Sequence, residues 1–145
     1  MGIRKNGSIR AEVFSQKSFI IQNRGNDMSL IPLRVPMGFA VCFNKFSDVD
    51  PIPCKTGDGF IENWEYFTED ILQIAMMKIV DGNWVLPKFD KLIIDLGWYP
   101  DSHITGQYRL IQVNEFWEVI REKYSKDRHE IKDTIEAWMK NPIVL

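Results

Sequence analysis

Residues 91–113, KLIIDLGWYP-DSHIT-GQYRLIQV, constrain the fold more than any other stretch. On a strand, successive side chains point to opposite faces. Tyr108, Leu110 and Gln112 therefore share one side of 106–113, and Arg109, Ile111 and Val113 share the other. Residues 91–100 read as a second strand ending at Gly97 or Pro100, and DSHITG between the two reads as a hairpin loop. The two strands are expected to pair antiparallel. Neighbouring Trp98 and Tyr99 face opposite ways, so at most one of them belongs to the core.

The rest of the chain builds outward from this hairpin. GFAVCFNKF, residues 38–46, alternates Phe39, Val41 and Phe43 and is a strand candidate. SDVDPIPCKTGDG, residues 47–59, has two prolines and two glycines and is loop. Trp64, Phe67, Ile71 and Ile74 fit helical spacing, yet AMMKIVDGNWVL suggests a hairpin turning at Asp81-Gly82. We place a strand at about 70–80 after irregular chain. FWEVIREKY reads as a further strand. In DRHEIKDTIEAWMK, Asp127 is an N-cap with Glu130 three residues on, close to a capping box. Ile131, Ile135 and Trp138 form an apolar stripe, and Asn141-Pro142 ends the helix. Ahead of all this lie two short β-type runs, EVF and SFIIQN, and the turn-prone NRGND at 23–27. The expected fold is α+β, an antiparallel β-sheet with a C-terminal α-helix packed on one face. By size, residues 1–145 form a single domain.

Charge is unevenly distributed. Residues 1–47 carry a net +5, residues 48–101 a net −7, and residues 102–145 sum to zero. Phosphate binding rests on Lys and Arg, so the acidic middle argues against direct nucleic-acid binding and for a basic partner. No apolar run approaches the roughly 20 residues of a membrane span, and MGIRKNGSIRAEVF lacks the apolar centre of a signal peptide. Cys42 and Cys54 make neither a metal spacing nor a disulfide framework. A cytoplasmic protein with two partly buried thiols and no membrane partner is expected.

The stretch DGFIENWEYFTED, residues 58–70, is the densest in candidate chemistry. Asp58, Glu62, Glu65, Glu69 and Asp70 alternate with Phe60, Trp64, Tyr66 and Phe67, and no cation is interleaved. Crowded carboxylates repel one another. As a catalytic set they call for a positioned base, and the two histidines, His103 in a predicted hairpin loop and His129 in the first turn of the last helix, read as ordinary loop and surface residues. No Gly-rich phosphate loop or nucleophile elbow occurs. Pro51 and Pro53 interrupt any calcium loop built on Asp48, Asp50 and Asp58, and eleven acids in 48–101 offer too many pairs to single out a glycosidase dyad. We therefore assign no catalytic residue, no metal site and no cofactor. A recognition surface fits better, because carboxylates steer a cationic partner while Trp and Tyr anchor it. DLGWYPD, residues 95–101, carries the same mixture. The candidate contact residues are Asp48, Asp50, Asp58, Glu62, Trp64, Glu65, Tyr66, Glu69, Asp70, Trp98, Tyr99 and Asp101. The plainer alternative keeps Phe60, Trp64, Phe67 and Trp98 in the core and the acids on a solvated face.

The succession IPLRVPMGFAVCFNKFSDVDP, ENWEYFTEDILQI, LIIDLGWYPD, GQYRLIQV and SKDRHEIKDTIEAWM resembles small immunity proteins of bacterial polymorphic toxin systems, including those of contact-dependent growth inhibition. The resemblance covers about residues 31–140, with AMMKIVDGNWVLPKF looking like an insertion. It implies a non-enzymatic inhibitor that binds one cognate toxin domain, often a nuclease, in the cytoplasm. The expectation is a toxin–immunity complex formed through an acidic, aromatic-containing surface. The competing reading is a small carboxylate-rich, metal-dependent enzyme or regulatory module, in which Asp48, Asp50, Asp58 and Glu62 would converge. A scaffold or adaptor for another basic partner is a third.

Overall fold

The computed structural model describes residues 29–144, so the EVF and SFIIQN runs and the NRGND turn lie outside the described residues. The chain is α+β. Strands β1 (Phe39–Asn44), β2 (Leu72–Met76), β5 (Ile93–Tyr99), β6 (Gln107–Val113) and β7 (Val119–Ser125) form a five-stranded antiparallel sheet in the order β1-β2-β5-β6-β7. A separate ribbon of β3 (Lys78–Val80) and β4 (Asn83–Val85) is inserted between β2 and β5, and helix α1 (Arg128–Lys140) closes the chain.

The 91–113 hairpin forms as expected. β5 and β6 pair in continuous register from Ile93↔Val113 to Tyr99↔Gln107. Period-two alternation then sorts the residues of the central strands into two sets. Leu72, Ile74, Ile94, Leu96, Trp98, Tyr108 and Leu110 face the core, where Ile131, Ile135, Trp138 and Met139 of α1 join them. Gln73, Asp95, Tyr99, Arg109, Ile111, Glu122 and Tyr124 line the opposite face. Trp98 and Tyr99 do point opposite ways: Trp98 is buried and Tyr99 half-buried.

Two expected strands are reshaped. The run 70–80 divides, because the chain leaves the main sheet at Met77 to enter the ribbon. The ribbon turns at Asp81-Gly82 with φ of 51° and 79°, the double positive φ that a two-residue type I′ hairpin demands. In β1 the register slips between Val41 and Phe43. This bulge breaks the alternation, so Phe43 is exposed while Phe46, past the strand end, is fully buried. A further slip lies between Gln112 and Val113 where β6 meets β7. Both edge strands thus carry a bulge, a device that discourages edge-to-edge association.

Helix α1 begins where Asp127 places it. The Asp127 carboxylate accepts hydrogen bonds from the amides of His129 at 2.8 Å and Glu130 at 3.3 Å. The reciprocal half of a capping box is relayed: the Ser125 hydroxyl accepts from the Asp127 amide at 2.9 Å and donates to the Glu130 carboxylate at 2.6 Å. At the far end, Arg121 Nη2 donates to the carbonyls of Trp138 and Asn141, and its guanidinium lies 4.5 Å from the Trp138 ring centre. A cation at the helix C-terminus satisfies carbonyls that lack an intrahelical donor.

The core centres on a cluster of edge-to-face aromatic rings. Trp98 stands 4.9 Å from Phe67 and 5.0 Å from Tyr108, and Phe46 stands 5.5 Å from Tyr108, all between ring centres. Ring pairs in this geometry add about 0.5–1.5 kcal/mol beyond simple burial. Phe67→Ala is expected to lower the unfolding free energy by about 3–5 kcal/mol. Trp64→Ala, on the exposed turn three residues earlier, should change it by less than about 1 kcal/mol. Urea denaturation of the two variants checks this division of the aromatics.

Candidate functional site

The aromatic cluster fixes two loops against each other, and that juxtaposition builds the site. Trp98 Nε1 donates to the His103 carbonyl at 2.8 Å, tying the 100–106 turn back onto its own strand. The Ser102 amide donates to the Phe67 carbonyl at 2.8 Å, and the Trp98 amide donates to the Thr68 carbonyl at the same distance. The Glu69 amide donates to Asp101 Oδ2 at 3.2 Å. Gly97 permits this approach: a Cβ there would collide with the carbonyl oxygen of Glu69.

Several acids far apart in sequence meet as a result. Lys45, whose amide donates to the Ile71 carbonyl at 2.8 Å, feels the charges of Asp70, Asp101 and Glu65. Burial nonetheless holds its ammonium below the usual lysine range, and the three carboxylates only partly offset that. Tyr99 is pushed up, first by burial and then by Glu69 and Asp95. Glu65, Glu69, Asp70 and Asp101 are exposed. They form an acidic corner where the β2 entrance meets the β5 exit. Trp64 stands beside it on a single turn of 3-10 helix, Trp64–Tyr66, with 55% of its surface exposed.

The sequence-derived residues divide into three sets. Glu65, Glu69, Asp70, Asp101, Trp64 and Tyr99 belong to this corner, and Tyr66 is half-buried against the core beneath it. Asp48 and Asp50 belong elsewhere. Arg128, at the start of α1, donates through Nε to Asp48 at 2.7 Å and through Nη1 to Asp50, and this pairing holds Asp48 below the usual carboxylate range. Asp58 and Glu62 lie in the loop that Asn63 organises, its side chain bonded to the Ile52 amide and the Asp50 carbonyl. The Phe60 amide first, then the Thr56 hydroxyl, hold Asp58 down. Trp98 is corrected from contact residue to core: it is 1% exposed and its one N–H is spent inside the turn.

The metal alternative required Asp48, Asp50, Asp58 and Glu62 to converge, and instead Arg128 holds the first two while the Asn63 loop holds the others. Among the described residues no group of three or more His, Cys, Asp or Glu is placed to hold a metal ion. Cys42 and Cys54 are half-buried thiols. Among the described residues no helix is long and apolar enough to cross a membrane.

Sequence reasoning did not include Asp95 or Arg109 among the contact residues. Both lie on the sheet face opposite α1, beside the corner. Asp95 is half-buried on the central strand, and burial pushes its carboxyl up, with Gln73 pulling the other way and Asp70 adding to the rise. Arg109 donates to Glu122 through Nε and Nη2, each at 2.8 Å, and lies 6.0 Å from the Tyr99 ring centre. An acid in the middle of an otherwise apolar strand, IIDLGW, was the available signal.

No family model matches the chain, and neither a curated protein nor a solved structure matches it.

Asp95 carries a sign-definite pH prediction. A carboxyl whose pKa is raised by folding opposes folding once ionised, so its penalty is absent below the ordinary value of 3.8 and full above the raised folded value. Asp95→Asn is expected to raise the melting temperature at pH 7, with the gain vanishing near pH 3. Thermal melts at the two pH values read this directly.

Proposed function

We propose that this chain is an immunity protein, a stoichiometric, non-enzymatic inhibitor of one bacterial toxin domain. The observation that carries the reading is the acidic corner. Glu65, Glu69, Asp70 and Asp101 converge from two loops beside an exposed Trp64, and Lys45 lies close enough to feel Asp70, Asp101 and Glu65. Like charges held together repel one another, and a positively charged partner relieves that repulsion on binding. The resemblance of residues 31–140 to immunity proteins supports the same conclusion. A toxin nuclease offers a complementary surface, since its cleft is positive to hold phosphates. Carboxylates spaced along a rigid corner take the place of those phosphates, and Trp64 and Tyr99 supply contact area that excludes water. Protection against a lethal enzyme in the same cytoplasm calls for nanomolar affinity or better, about −12 kcal/mol.

Asp48 and Asp50 contribute less in this account, because Arg128 pairs with both and offsets part of their charge. Capture with the tagged full chain at low salt should yield one basic protein in stoichiometric amount. That protein should be toxic when expressed alone and harmless when expressed with this chain. A partner without toxicity would overturn the assignment. Charge reversal locates the contact: Glu65→Lys combined with Asp70→Lys should slow association by about tenfold or more at low salt, through lost steering. Dissociation should change by less than about threefold, and Asp48→Lys should have the smaller effect on association. Stopped-flow or biosensor kinetics at two ionic strengths measure all three.

A further inference from the structure

The sheet face opposite α1 holds a carboxylate that the fold leaves without a cation. Asp95 is half-buried on the central strand β5, in a cross-strand row with Gln73 on β2 and Ile111 on β6. Ile111 is buried, and Gln73 gives the carboxylate a side-chain hydrogen bond. Among the described residues no Lys, Arg or His forms a salt bridge with Asp95. Arg109 acts on it only at longer range, because its Nε and Nη2 are both bonded to Glu122 at 2.8 Å.

An aromatic ring stands beside this carboxylate. Asp95, Gly97 and Tyr99 share one face of β5. A Cβ on Gly97 would stand 2.8 Å from Cε2 of Tyr99, so the Tyr99 ring leans back along the strand toward Asp95. Asp70, exposed at the entrance to β2, acts electrostatically on both Asp95 and Tyr99. A carboxylate partly withdrawn from water gains most from a cation brought to it. A cation over an aromatic ring gains again from the ring's negative face.

We infer that Asp95 is a contact residue of the proposed interface, receiving a cationic side chain of the toxin domain against the Tyr99 ring. The inference rests on the function proposed above. Charge complementarity argues for that occupant: this part of the face offers Asp70, Asp95 and Glu122, and its one cation, Arg109, is already paired. Position argues in the same direction. Tyr99 belongs to the acidic corner and lies four residues from Asp95 along the same strand face, on the order of 13 Å. That distance fits within the ~800 Å² that each partner contributes to a standard interface. The two parts then act differently. Exposed corner acids steer the approach, whereas a half-buried carboxylate holds the complex once it has formed.

The test uses the purified full chain and the partner protein that capture recovers. Asp95→Asn removes the charge and keeps the shape, and its melting temperature at pH 7 should not fall, which separates lost contact from lost folding. It should raise the dissociation rate tenfold or more at pH 7 while association stays within about threefold. The gap should close in acid. Burial raises the Asp95 carboxyl, so it takes up its proton at higher pH than an ordinary carboxylate, and a protonated Asp95 resembles asparagine. The other titratable or charged groups around it, Asp70, Tyr99, Arg109 and Glu122, are the same in both proteins, so the ratio of the two rates isolates Asp95. Equal dissociation rates at pH 7, with the acidic-corner variants still slowing association, overturn the Asp95 contact alone. A tenfold gap that persists undiminished in acid overturns it as well. So does a wild-type melting temperature that calcium or manganese raises and that neither raises in Asp95→Asn, which would give the carboxylate to a metal ion. Capture that recovers no toxic partner overturns both readings.

Discussion

The hydrogen bond from Trp98 Nε1 to the His103 carbonyl, inside the ring cluster of Phe67, Trp98 and Tyr108, is the contact on which the rest of the site depends. It buries the largest side chain of the central strand and spends its polar atom within the same hairpin, so the buried indole N–H has its partner. The folded-back turn then meets residues 67–69 through backbone bonds at Phe67 and Thr68. Asp101 and Glu69 arrive at one place because a tryptophan on the opposite face of the strand is satisfied. The core holds the acidic corner in shape.

This arrangement divides the work between the faces of the sheet. One face packs against α1 and the aromatic cluster and supplies stability. The other carries Asp95, Tyr99, Arg109, Glu122 and Tyr124, polar and aromatic groups on a framework that the buried face keeps rigid. Binding groups on strands and on loops bonded to strands lose little freedom when a partner arrives. Asp95 shows what this costs: a half-buried carboxylate on the central strand whose ionised form burial disfavours. Stability given up at an accessible polar face is the usual mark of a surface kept for something other than folding.

Much of the fold could be read from the sequence because its signals are local. The β5–β6 hairpin shows in alternation over seven-residue strands, the ribbon in Asp81-Gly82, and α1 in Asp127 and its apolar stripe. What escaped was set by distance. Arg128 meets Asp48 and Asp50 across about 80 residues, which pairs two acids of the expected surface with a cation from α1. The bulge in β1 turned Phe43 outward without any local cue. Phe60, Trp64, Phe67 and Trp98 look alike in the sequence, and only tertiary packing sends the first two to the surface and the last two to the core. Phe116 and Trp117 continue a β-type run in the sequence, yet they lie on the turn before β7, which starts at Val119. Asn114 ahead of them was the turn signal, through the side-chain bonds that Asn makes to nearby backbone amides.

The most direct test of the account is amide hydrogen exchange on the full chain, free and bound to the partner protein that capture recovers. Binding through the surface described here predicts slowed exchange in residues 64–70 and 99–103, with α1 unchanged. Protection concentrated instead on α1 and the 48–58 loop, with residues 64–70 exchanging as in the free chain, would contradict it.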